Sequence, residues 1–162
     1  MVKRVVDSSA GFTLIELLVV VLIIGILASV AVPKYMLAVR KTKATAALAF
    51  LEKLSDAQSV YFLANGEYPP DIESLDITPP VVKPYWFSLE DGGFTVRAHP
   101  NNQGGVPILY AYGAYTWPHY GHLINQRYCI GGTPEAAAVC RALGGRQDAT
   151  YSYRFYLPAA KK

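Results

Sequence analysis

The sequence predicts an α+β chain, with one long N-terminal helix followed by a small antiparallel sheet. Three observations carry this reading. Phe12–Val32 reads FTLIELLVVVLIIGILASVAV, and only Thr13, Glu16, Gly25 and Ser29 fall outside the hydrophobic set. From Lys34 to Ala64 there is neither proline nor glycine, and Leu48, Leu51, Leu54, Ala57 and Tyr61 recur at helical spacing. Beyond Gly66 the chain breaks into short aromatic or alternating runs punctuated by Pro and Gly.

Composition bounds the function before any motif is read. The 162 residues suffice for one ordinary domain, with little room for a second. Hydrophobic residues make up 52% of the chain and charged ones 17%, which argues against disorder. Outside Phe12–Val32 the hydrophobic share falls to roughly 48%, an ordinary globular value. The excess therefore belongs to one segment. A net charge of +3, from 15 basic and 12 acidic residues, is too weak to argue nucleic-acid binding. Two cysteines exclude a disulfide-dense scaffold and a four-cysteine zinc site.

As a helix, the apolar segment rises about 31 Å, the thickness of a bilayer's hydrocarbon core. A chain this short cannot bury such a helix inside a soluble fold. Lys3 and Arg4 precede it and hold the N-terminus in the cytoplasm, so the remainder is exported. Two processing schemes compete. A signal peptidase could cut after Ala31, at the small-x-small site Ser29-Val30-Ala31, and release a mature chain starting at Val32. Cleavage after Gly11 would instead keep the apolar helix. Glu16 favours the second scheme. A carboxylate costs on the order of 2.5–3.5 kcal/mol at the bilayer centre and less near the interface. A disposable signal gains nothing from that cost, whereas a retained helix can pair the acid with the new amine on Phe12.

Gly11-Phe12-Thr13-Leu14-Ile15-Glu16, followed by LLVVVLIIGILASVAVP, resembles the prepilin signature shared by type IV pilins and type II secretion pseudopilins. The close match covers residues 11 to about 33. The resemblance implies a 1–11 leader, a 12–33 membrane and filament-core helix, and a 34–162 globular domain. It implies cleavage between Gly11 and Phe12 by a prepilin peptidase, which also N-methylates Phe12. It further implies residence in the inner membrane, surrounded by lipid. An assembly platform and its ATPase then draw the chain into a homopolymeric periplasmic or extracellular filament. In that family the acid corresponding to Glu16 neutralises the terminal amine of a neighbouring subunit. The physical reading agrees, because two charges that are costly alone in an apolar core are much cheaper together.

Gly25 and Pro33 are expected to disrupt the helix. Glycine costs about 1 kcal/mol, and proline deletes a hydrogen bond and kinks the chain. The helix continues to Ala64, where Asn65-Gly66 stops it, for a total of roughly 80 Å. Residues 66–84 read as loop, broken at Tyr68-Pro69-Pro70 and Thr78-Pro79-Pro80. Tyr85–Leu89 and Phe94–Ala98 form a hairpin around Glu90-Asp91-Gly92-Gly93, with Phe94, Val96 and Ala98 on one face. Ile108–Tyr115 and Tyr151–Leu157 are further strands, and Leu123–Cys129 is a weaker one. Thr133-Pro134-Glu135 starts a short helix that ends at Gly144-Gly145.

Cys129 and Cys140 lie in the exported part and are expected to pair there. The competing metal site, with His119 and His122, has neither helical i, i+4 spacing nor a second nearby thiolate. A disulfide-closed end resembles type IV pilins more than the major pseudopilin, which usually carries a calcium-binding acidic loop near its C-terminus. Here Asp148 is the only acid in the last 25 residues. The sequence reading therefore leans to a pilus subunit. A pseudopilin is the alternative, and an exported binding domain or enzyme with a cleaved signal is the second. No phosphate-cradling loop, nucleophile elbow or metal-spaced His/Glu set is present, so neither a cofactor nor an enzymatic activity is expected. The 12 tyrosines, eight of them after Gly105, read as sheet and loop packing.

Overall fold

A computed structural model describes residues 11–101, 105–112 and 126–158. The chain divides into two compact units, one ending at Met36 and the other beginning at Leu37. Helix α1 spans Leu14–Asn65 and is continuous through both Gly25 and Pro33. The expected disruption therefore stops short of a break. Pro33 has no N–H to give the Ser29 carbonyl, but the surrounding turns stay helical.

In the second unit, six antiparallel strands form one sheet in the order β1-β2-β3-β4-β6-β5. They are β1 (Tyr85–Glu90), β2 (Thr95–Pro100), β3 (Ile108–Tyr112), β4 (Arg127–Ile130), β5 (Arg146–Gln147) and β6 (Arg154–Tyr156), with helix α2 (Pro134–Ala142) between β4 and β5. The expected α+β architecture is the observed one.

The core forms where the second half of α1 meets one face of the sheet. Ala44, Ala47, Leu51 and Leu54 are fully buried in one cluster with Val96, Ala98, Leu109, Cys129 and Phe155. Three of the five stripe residues read from the sequence, Leu48, Ala57 and Tyr61, lie at the edge of this contact. Gln58, a polar residue outside that stripe, is fully buried instead. Its Nε2 donates to the Gly93 carbonyl and ties α1 to the β1–β2 turn. Gly93 has φ +84°, and a Cβ there would overlap the Pro69 backbone, so only glycine fits.

The hairpin register pairs Trp86 with His99 and Ser88 with Arg97. Phe94 lies in the turn, outside β2, and packs with Tyr68 and Tyr128 in a second buried cluster. The strand expected over Tyr151–Leu157 is confined to Arg154–Tyr156, because Asp148 and Tyr151 organise turns before it. Strand β5 was not expected from the sequence. Within the segments expected as Ile108–Tyr115 and Leu123–Cys129, residues 113–115 and 123–125 lie outside the described residues. So do the 1–10 leader residues, His119 and His122.

Candidate functional site

The described part of the first unit is almost entirely an apolar helix. Phe12–Val32 is exposed throughout apart from half-buried Ala28, and Leu14 keeps 86% of its surface accessible. Leaving a Val, Leu or Ile side chain in water forfeits about 1.5–3 kcal/mol relative to burying it. A run of this length therefore needs lipid or other helices around it. By length and composition it is long enough to cross a membrane.

The polar exception is organised. The Thr13 N–H and hydroxyl both donate to Glu16 Oε2, at 2.8 and 2.7 Å, and the Glu16 N–H donates back to Thr13 Oγ1 at 3.3 Å. This is a reciprocal capping box that closes the N-terminus of α1. The sequence points to Glu16 as a charge partner, and the structure adds the cap. The signal was legible in Thr13-Leu14-Ile15-Glu16, a Thr-x-x-Glu that opens an apolar run. The cap places the carboxylate at the positive end of the helix dipole, where a negative charge is favoured. Among the described residues, no hydrogen bond to Glu16 Oε1 is seen. That oxygen is free to meet a cation, and Phe12 lies one residue before the cap.

The C-terminal part of the second unit is closed covalently. Cys129 in β4 and Cys140 in α2 form a disulfide, with Cα atoms 5.8 Å apart. Thr133 caps α2 by accepting from the Ala136 N–H at 3.2 Å, and Pro134 occupies the first turn, as its position in the sequence implied. Gly131 lets α2 approach β4, since a Cβ there would lie 2.6 Å from Ala137 Cα. Glu52 of α1 pairs with Arg127 of β4, and Arg127 also donates to the Pro158 carbonyl.

The outer sheet face carries a ladder of rings and guanidiniums. Tyr110 and Tyr128 stack at 4.7 Å, with Arg97 over the former at 4.7 Å and Arg154 over the latter at 5.1 Å. Trp86 stacks on His99 at 3.9 Å. Burial, then the neighbouring Arg97, hold the His99 pKa below its ordinary value, against the pull of Glu90. His99 Nε2 is already engaged by Ser88 Oγ at 2.9 Å and by Glu90 Oε1 at 3.2 Å. Both contacts fall on Nε2, and the ring lies flat against Trp86. Among the described residues, no three His, Cys, Asp or Glu side chains converge to hold a metal ion.

Comparison with known proteins agrees with this anatomy. A family model described as the prokaryotic N-terminal methylation motif matches residues 7–32. The type II secretion system core protein G of Aeromonas hydrophila is 37% identical over 100 residues, covering 60% of this chain and 69% of the relative. The core protein G of Escherichia coli K12 is 32% identical over 108 residues, covering 65% and 74%. The type IV major pilin protein PilE1 of Neisseria gonorrhoeae is 37% identical over 70 residues, covering 43% and 42%. No solved structure matches the chain. The chain belongs to the family of type IV pilins and type II secretion pseudopilins. The apolar helix and the motif fit anchoring in the inner membrane.

Proposed function

We propose that this chain is the structural, non-enzymatic subunit of a helical filament. A prepilin peptidase removes residues 1–11 at the cytoplasmic face and N-methylates Phe12. The Phe12–Pro33 helix holds the subunit in the inner membrane until an assembly platform and its ATPase draw it into a homopolymer. In the polymer, Glu16 pairs with the Phe12 amine of a neighbouring copy. The observation that carries this reading is the apolar helix Phe12–Val32, exposed along its length, with its one acid, Glu16, fixed at the capped end. A disposable signal sequence needs no such device.

Of the two filament types, the type II secretion pseudopilus has the broader support. The core protein G relatives align over 69 and 74% of their length, and the gonococcal pilin over 42%. A pilus is the second reading, supported by the Cys129–Cys140 closure and by the shortage of C-terminal acids expected of a calcium loop. Deleting the gene separates them. Loss of protein secretion with surface fibres intact supports the pseudopilus, and loss of long surface fibres with secretion intact supports the pilus.

A further inference from the structure

In the first part of the second unit, charges are segregated along the sequence. Between Glu16 and Glu52 there is no acidic residue, and within this stretch the second unit carries Arg40, Lys41 and Lys43. Between Lys53 and Lys83 there is no basic residue, while Asp56, Glu67, Asp71, Glu73 and Asp76 all fall there. Lys41, Lys43, Glu67, Asp71, Glu73 and Asp76 are exposed. Among the described residues, the salt bridges involve none of them.

The acidic segment is a built surface. Tyr68 and Leu75 are buried and pin it to the domain. Asp71 accepts from the Ser74 N–H at 2.8 Å and closes the turn between them. Beside this loop, Val60 and Leu63 on the last turns of α1 stay largely exposed, at 67% and 69%. The 22 residues from Lys43 to Asn65 separate the basic band from the end of the helix by about 33 Å. That is several times the roughly 8 Å screening length at physiological ionic strength. Among the described residues, no salt bridge within the molecule joins the two bands.

We propose that the acidic loop Glu67–Asp76 docks on the exposed Lys41 and Lys43 of a second copy of this chain. That copy is displaced along α1 by about the length of helix between the bands. Such a contact is heterologous, joining two different patches, and when repeated it builds an open helical assembly. Charge complementarity fixes the register of this assembly, which apolar helices alone leave free to slide. The inference rests on the filament reading and adds to it a specific contact between heads.

The test is charge reversal and its rescue in cells making the full chain. The variants are Lys41→Glu with Lys43→Glu, Glu73→Lys with Asp76→Lys, and all four substitutions together. Subunit level and Cys129–Cys140 oxidation report folding and export, and sheared filament yield reports assembly. Each double variant should keep its subunit level and lose about ten-fold or more in filament yield, since like-charge contacts are strongly unfavourable. The four-fold variant should recover most of the yield. In mixed isotope-labelled filaments, carbodiimide should join Lys41 or Lys43 of one copy to Glu67, Glu73 or Asp76 of another. If the wild type forms filaments and the double variants assemble normally, the docking contact is wrong and the filament reading stands. A lysine defect that the acidic-loop reversal does not rescue also overturns the contact, and points to another partner such as anionic lipid. Absence of filaments from the wild type overturns both.

Discussion

Glu16 has two tasks that its chemistry can separate. As the third residue of the capping box it accepts from Thr13, a role that glutamine also fills. In the proposed filament it also neutralises an amine as a charge, which glutamine does not. Both Glu16→Ala and Glu16→Gln should leave cleavage after Gly11 intact and impair filament assembly. An uncompensated buried charge costs roughly 3–5 kcal/mol. Filament yield, with the intact mass confirming processing, checks this, and a Glu16→Gln chain that assembles fully would show that the cap alone suffices. Asp148 offers a second test outside the membrane segment. The Thr150 N–H, and then the Tyr156 hydroxyl, hold its carboxyl below the ordinary 3.8. The folded pKa is depressed, so the stabilisation is complete above that ordinary value and is lost as pH falls through the folded one. Asp148→Asn should flatten this acid limb, measured as unfolding midpoints from about pH 5 down to about pH 2. The sequence showed that Glu16 matters because a carboxylate in an apolar run is costly wherever it folds. It did not show the role of Gln58, which depends on a carbonyl 35 residues away.

Local rules were most readable in the elements that local rules determine. Helix α1 ends at Asn65 because Gly66 takes φ +78°, and α2 begins at Pro134 because Thr133 caps it. Strand β5 escaped notice because two residues cannot show alternation, and its partners are chosen by β6. Phe94 extended the apparent alternation of Val96 and Ala98, but Gly92 and Gly93, both at positive φ, turn the chain so that Phe94 meets Tyr68. The bond between β4 and α2 gives a prediction at this scale. Cys129 and Cys140 are 11 residues apart, and closing so short a loop stabilises by about 2–3 kcal/mol in the chain-entropy model. The Cys129→Ser, Cys140→Ser double variant should lower the unfolding midpoint of the detergent-solubilised chain accordingly. An unchanged midpoint would mean that packing of Val139 and Phe155 alone holds α2 in place.

At the scale of the whole molecule, one chain carries two kinds of surface. The unit from Leu37 onward buries its own core between α1 and the sheet, as a water-soluble domain does. Among the described residues up to Met36, none is buried. This division was visible as a change in hydropathy, because membrane insertion depends on a run of residues and needs no tertiary contact. Which filament the subunit joins was less visible. The N-terminal signature is shared by both types, and the head differs by loops and closures that obey no short-range rule. A filament subunit keeps its apolar helix in the mature protein, and the intact mass of the chain purified from membranes decides that. The expected chain begins at Phe12 with one added methyl group. A chain beginning at Val32 would contradict the filament reading, because it would have lost Glu16, the cap and the apolar unit together.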